Sequence, residues 1–253
     1  MEADGAERSG PVDRVADRLE RAVVREVQGS PRVSVAYSGG LDSSLVALLA
    51  ARHVPTDLVV VGTRTSHDVA PASSGARRLG LPLTIRLIGY AEIRSASARW
   101  SVELEDADPL ARSVAVATGL AVEAAVEPRV GMGQGADEFF FGYAHFLGLS
   151  SEEADRRARL DRAKLIEREW PRAVRIAAGL GHGIFTPFLD PEVIEAARAI
   201  PVEWHLKDGV RKAVLRAAAR RLGLAAELCD RPKKAFQYGS GIDAALRRLR
   251  GGR

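Results

Sequence analysis

The chain has 253 residues, 46% of them hydrophobic, and a formal net charge of +4, which is enough for a buried core in one large domain. No run of about 18 uncharged apolar residues is present, which excludes a membrane-spanning helix. The polar stretch Met1 to Gly10 lacks the apolar centre of a signal peptide. The single cysteine, Cys229, excludes an internal disulfide and fits a cytoplasmic protein.

In chain order, Val12, Val15, Leu19, Val23 and Val27 recur at helical spacing and predict an amphipathic first helix. Arg32 to Tyr37 is a short β-branched run that predicts a strand, and Ser43 to Arg52 a helix. Asp57 to Gly62 predicts a second strand, Val69 to Leu79 a helix, and Leu83 to Ile88 a third strand. Asp108 to Ala125 reads as a long helix and Arg129 to Gly133 as a fourth strand. Strands that alternate with helices and read as continuous apolar runs predict a doubly wound parallel α/β sheet. After Tyr143 the pattern turns helical, over 151–179, 190–199, 208–222 and 240–250. The expected organisation is one domain over 1–253: an N-terminal helix (1–30), an α/β core (31–143) and a helical C-terminal lobe (144–253).

Ser38-Gly39-Gly40-Leu41-Asp42-Ser43-Ser44 lies between a predicted strand and a predicted helix. Adjacent glycines let backbone N–H groups converge on one concavity. The following helix adds its positive end, and Ser38, Ser43 and Ser44 offer hydroxyl donors, a combination suited to phosphate. No lysine closes the loop as in a Walker A motif. A carboxylate beside phosphate is repulsive, so Asp42 makes sense as a ligand of a bridging divalent cation. Gly133-Gln134-Gly135-Ala136-Asp137-Glu138 falls after the fourth strand, where a parallel sheet binds its ligand. Asp137 is the second candidate carboxylate for the same Mg²⁺.

The loop SGGLDSS resembles the PP-loop of the ATP-pyrophosphatases. The second loop, with Phe139 to Tyr143 behind it, resembles the asparagine synthetase string G-x-G-[AS]-D-E-x-x-x-G-Y. Thr186 to Asp190 resembles that family's PFLD segment. Gly209 to Arg216 resembles G-x-x-K-x-x-L-R, and Arg231 to Phe236, with its trailing glycine, resembles R-x-K-x-x-F. The resemblance runs in the family's order from Arg32 to Ile242. It implies the ATP-pyrophosphatase fold and a synthetase that uses ATP and Mg²⁺. Such an enzyme adenylates a carboxylate, with aspartate leading, and transfers the acyl group to ammonia. It further implies that Tyr37, Val61, Met132 and Gly133 line the adenine side, that Lys212 follows charge on the phosphates and acyl group, and that Lys233 reaches pyrophosphate. Alternatives are an amide or lactam synthetase acting on another carboxylate, and a PP-loop tRNA-modifying enzyme.

Gln134 stands where bacterial asparagine synthetases carry Glu and β-lactam synthetase carries Tyr, and an amide cannot take a proton near neutral pH. No N-terminal glutaminase cysteine is present in this sequence, so ammonia or a separate glutaminase subunit is the expected nitrogen source. Of 37 Lys and Arg residues, five are Lys: Lys164, Lys207, Lys212, Lys233 and Lys234. Where Arg is the default, a retained Lys marks a position Arg would not serve. Lys164 falls outside every motif and reads as a surface residue. Asp and Glu interspersed with the Arg, and only 6% aromatics, do not form a nucleic-acid footprint.

Overall fold

The computed structural model describes residues 10–231 and 239–251. Lys233 and Lys234 lie outside the described residues. Five parallel strands form one sheet in the order β3-β2-β1-β4-β5. They are β1 (Val33–Ala36), β2 (Thr56–Gly62), β3 (Leu83–Leu87), β4 (Arg129–Gly131) and β5 (Gly183–Phe185). The chain runs outward from β1 to β3, then re-enters on the other side of β1. Strand order therefore reverses between β1 and β4, and the loops leaving their carboxyl ends flank the crevice where such sheets bind ligands.

Helices cover both faces. On one side, Val33, Val35, Tyr37, Leu58 and Val60 pack with α1 (Pro11–Val27), α2 (Leu41–Ala51), α3 (Val69–Leu79), α9 (Pro191–Arg198), α11 (Ala213–Arg221) and α12 (Ala226–Cys229). On the other, Val59 and Val61 pack with α4 (Tyr90–Arg99), α5 (Pro109–Glu123), α8 (Trp170–Gly179) and the last helix, α13 (Ile242–Gly251). Helix α2 is apolar nearly all round because it is buried against the sheet, whereas α1 buries only one stripe.

Four predicted strands and the early helices stand close to their predicted bounds, and several expectations change. The fifth strand and α4 were not predicted. The third strand reads as buried, yet Ile85 and Leu87 are exposed because β3 is a sheet edge. The predicted helix 151–179 is divided: α7 (Ser151–Lys164) passes through a π-helical turn, Leu165–Glu169, before α8. The helix predicted over 208–222 starts only at Ala213. Lys207 and Val210 form an antiparallel bridge ahead of it, and Asp208, Gly209 and Lys212 take left-handed φ values of 52°, 74° and 58°. Short elements complete the chain: α6 (Ala136–Phe139), α10 (Val202–His205) and two 3-10 turns, Ala144–Phe146 and Pro187–Leu189.

His205 is fully buried against Phe140 and Phe141, with Nε2 3.2 Å from the Ala197 carbonyl. Burial pushes its pKa from 6.5 down to about 4. The unfolded chain therefore binds a proton that the folded one refuses between these values. The stabilisation is complete above pH 6.5 and is lost as pH falls toward 4, up to about 3 kcal/mol. Urea midpoints between pH 7 and 4.5 should fall more steeply for the wild type than for His205→Leu. Parallel curves would show that His205 does not titrate on unfolding.

Candidate functional site

A cavity of about 380 Å³ opens at the strand-order reversal. Ser38, Gly40, Leu41, Asp42 and Ser43 form one wall, and Met132, Gly133, Gln134, Gly135, Asp137 and Glu138 another. The first loop braces itself. The Ser43 hydroxyl is 3.3 Å from both the Ser38 hydroxyl and the Ser38 backbone N–H, and the Gly40 N–H donates to the Ser38 hydroxyl at 3.3 Å. Gly39 has φ 69°, and a Cβ there would lie 2.7 Å from the Pro71 backbone, so only glycine lets the loop close against α3. A Cβ on Gly133 would sit 2.9 Å from that of Asp42, which is how closely the two loops approach.

Asp42, Asp137 and Lys212 come from three separate segments and meet. Lys212 Nζ lies 2.6 Å from Asp42 Oδ1 and 2.7 Å from Asp137 Oδ1. The lysine is buried, and its left-handed backbone places it at the N-cap of α11. Burial favours loss of its proton, while Asp42 favours retention. With two carboxylates in ion-pair contact, the ammonium is the form this geometry holds. Two carboxylates converging on one cation position fit a Mg²⁺ site completed by phosphate oxygens and water. Among the described residues there is no cluster of three or more metal-ligating side chains.

The remaining expectations divide. Met132 and Gly133 line the cavity. The side chains of Tyr37, Val61 and Ser44 do not. In β1 the side chains alternate, so Tyr37 points with Val33 and Val35 into the core, where its hydroxyl meets that of Ser44 at 3.0 Å. Val61 is buried on the opposite face. Any nucleotide contact at Tyr37 and Val61 is therefore restricted to the main chain, and the buried Ser44 hydroxyl is engaged with Tyr37 and not turned to the cavity. Gln134 lines the cavity, and its amide oxygen is buried without a hydrogen-bond partner among the described residues. Cys229 is buried and donates to the Leu224 carbonyl, and burial raises its thiol pKa, the reverse of nucleophile activation.

Several cavity residues were not assigned roles from sequence. Arg231 donates to the Ser38 carbonyl at 2.9 Å, and Arg216 lies beside it in the wall. Both fall inside motifs already quoted, where their charge was a usable signal. Tyr143 donates to Glu138 at 2.5 Å, and burial pushes the Glu138 carboxyl up to about 7. Opposite the phosphate loop, α5 contributes Leu110, Val114 and Thr118. There the π-helical turn brings Lys164 and Glu169 together at 3.2 Å, and Lys164 also reaches Asp108 at 3.1 Å. His145, 2.9 Å from Asp161, completes this mixed-charge wall. Lys164 is thus a cavity residue, contrary to its reading as surface.

The sequence model of the asparagine synthase family matches residues 14–183 and 173–251. The chain belongs to the asparagine synthase family. A Methanocaldococcus jannaschii protein described as a glutamine-hydrolyzing asparagine synthetase is 29% identical over 262 aligned positions, covering 88% of this chain and 48% of that protein. The Gallus gallus asparagine synthetase is 27% identical, covering 87% of this chain and 42% of its own length. The chain spans about half the length of the relatives it matches. The solved NMN synthetase of Francisella tularensis superposes with a TM-score of 0.50 at 12% identity, covering 94% of this chain and 87% of that one, which places the two in one fold. That fold is the ATP-pyrophosphatase type of parallel sheet.

Proposed function

We propose that this member of the asparagine synthase family is an ATP-dependent, AMP-forming amide synthetase. It adenylates a carboxylate, with aspartate as the leading substrate, and passes the acyl group to ammonia. The observation that carries this reading is the meeting of Asp42, Asp137 and Lys212 beside a glycine-rich loop at the sheet's switch point. The backbone N–H groups at the start of α2 would face a phosphate chain. Arg216 and Arg231 add fixed positive charge along the same wall. Asp42 and Asp137 would hold Mg²⁺, which when bound neutralises phosphate charge as pyrophosphate departs. Lys212 would follow the negative charge that grows on the phosphates. The substrate oxygen attacks the α-phosphorus and pyrophosphate leaves. Ammonia then attacks the acyl carbon, the bond to AMP breaks, and the amide forms with release of AMP and of a proton to water. Met132 and Gly133 shape the nucleotide side, and the π-turn wall is the remaining room for the acyl substrate.

Gln134 favours a second reading, in which the carboxylate is not aspartate. Its neutral amide can orient a substrate but cannot accept the amine's proton. A panel of carboxylates incubated with ATP and Mg²⁺, with and without ammonia, tests both readings. The expected products are AMP and pyrophosphate, and primary ADP with orthophosphate would overturn the class. The buried thiol of Cys229 supports a further expectation: the purified 253-residue chain uses ammonia but not glutamine. Glutamine-supported amide formation without a partner would refute it.

A further inference from the structure

We propose that Lys212 is the resident counter-cation of the Asp42–Asp137 pair, so that the site accepts a divalent cation as a metal–nucleotide complex and not as the free ion. This rests on the reading of Asp42 and Asp137 as metal ligands. The ammonium already fills the position between the two carboxylates, at 2.6 and 2.7 Å. Its side chain is only 4% exposed. A Cβ on Gly142 would overlap both Asp137 and the lysine stem, so the three groups are packed together on that side.

A free metal ion that takes the position between the two Oδ1 atoms must eject the ammonium. The ejected charge would remain under the same cover, close to Arg216, with its two carboxylates taken. Burying an unpaired charge is costly. A metal ion that arrives with a triphosphate removes that cost. The phosphates supply a new anionic partner for the ammonium within the same cavity, on the side lined by Ser38, Gly40 and Arg231. Two cations then share three anionic groups, where before one cation shared two. Metal and nucleotide affinities are thereby coupled, and the coupling must be reciprocal. The lysine stem rises from the left-handed turn at Asp208, Gly209 and Lys212, and Arg211 anchors that turn to the Gly142 carbonyl at 2.7 Å.

Direct Mn²⁺ binding, counted as loss of the free-ion signal in electron paramagnetic resonance, tests this without any turnover. The wild type should bind Mn²⁺ weakly alone, and at least about tenfold more tightly with a non-hydrolysable ATP analogue, within the usual range of coupled sites. Lys212→Met should bind Mn²⁺ alone at least about tenfold more tightly than the wild type, with the analogue adding less. Lys212→Gln, which keeps a neutral donor, guards against a folding failure of the methionine variant and carries the same expectation. A variant that melts early but is restored by Mn²⁺ alone also supports the proposal. Equal Mn²⁺ affinity of wild type and variants without nucleotide would overturn it. Absence of Mn²⁺ binding in every protein, even with the analogue, would overturn the metal-ligand reading and the proposal with it.

Discussion

Lys212→Arg is expected to lose about 10²–10³ in turnover at saturating ATP, and Lys212→Ala at least as much. Loss of one well-aimed donor to developing charge typically costs that amount, roughly 3–4 kcal/mol. Arg keeps the charge but not the shape. Its planar fork cannot take the place of a compact ammonium seated 2.6 and 2.7 Å from two carboxylates. The lysine side chain is also buried, so the larger head cannot take its place without displacing neighbours. Arg159→Lys on the outer face of α7, where the side chain is 66% exposed, is the matched control and should be nearly silent. Thermal melts separate lost chemistry from unfolding. Near-normal turnover of Lys212→Arg would remove Lys212 from the reacting centre.

Gly142→Ala is the second large effect expected, and its origin is purely steric. The φ of Gly142 is not among the positive ones, so alanine is compatible with the backbone. Its methyl group, however, would overlap Asp137 Oδ1 and Lys212 Cε. One added carbon in a packed site costs about 1–3 kcal/mol. Displacing catalytic groups by about 1 Å can cost 10²-fold in rate. We expect turnover to fall by about that factor while the melting temperature falls by only a few degrees. Unchanged turnover would show that Asp137 and Lys212 can part without consequence. Gly148→Ala gives the contrast. No atom lies within 4 Å of its added carbon, but its φ of 82° strains the backbone, so it should affect stability and not rate.

The order of strands and loops was legible because burial on both faces forces apolar runs, and the turns between them are marked by glycine. What escaped was decided by tertiary placement. Three residues, Gly183 to Phe185, are too few to show a period, and they become a strand only because β4 offers an open edge. Leu83 to Leu87 reads as buried because sequence does not reveal which strand ends the sheet. The resemblance placed Tyr37 and Val61 near the nucleotide, yet the pleat turns both side chains into the core. At the site, Asp42, Asp137, Gln134 and Lys212 could be found because glycines and spacing flag them. Lys164, Asp161 and Glu169 carry no such mark. They join the cavity because α7 crosses the end of α5, a contact between segments some 50 residues apart, as in the Lys164–Asp108 pair. Retention of Lys in an Arg-writing chain was the one usable hint, and it was present at Lys164 as well as at Lys212.

The π-helical turn at Leu165–Glu169 makes chain length itself a setting of this cavity wall. A π-turn is an α-helix carrying one surplus residue. Deleting any one residue from 165–169 would restore an α-helical ladder from α7 into α8. It would also rotate α7 by roughly 100° about its axis relative to α8, the turn of one helical residue. Arg157, Asp161 and Lys164 would then leave the cavity together, and a different set of α7 side chains would replace them, while both glycine-rich loops and the Asp42–Lys212–Asp137 contact stayed where they are. A single-codon deletion could thus exchange the chemistry of one wall in a step that several point substitutions would be needed to match.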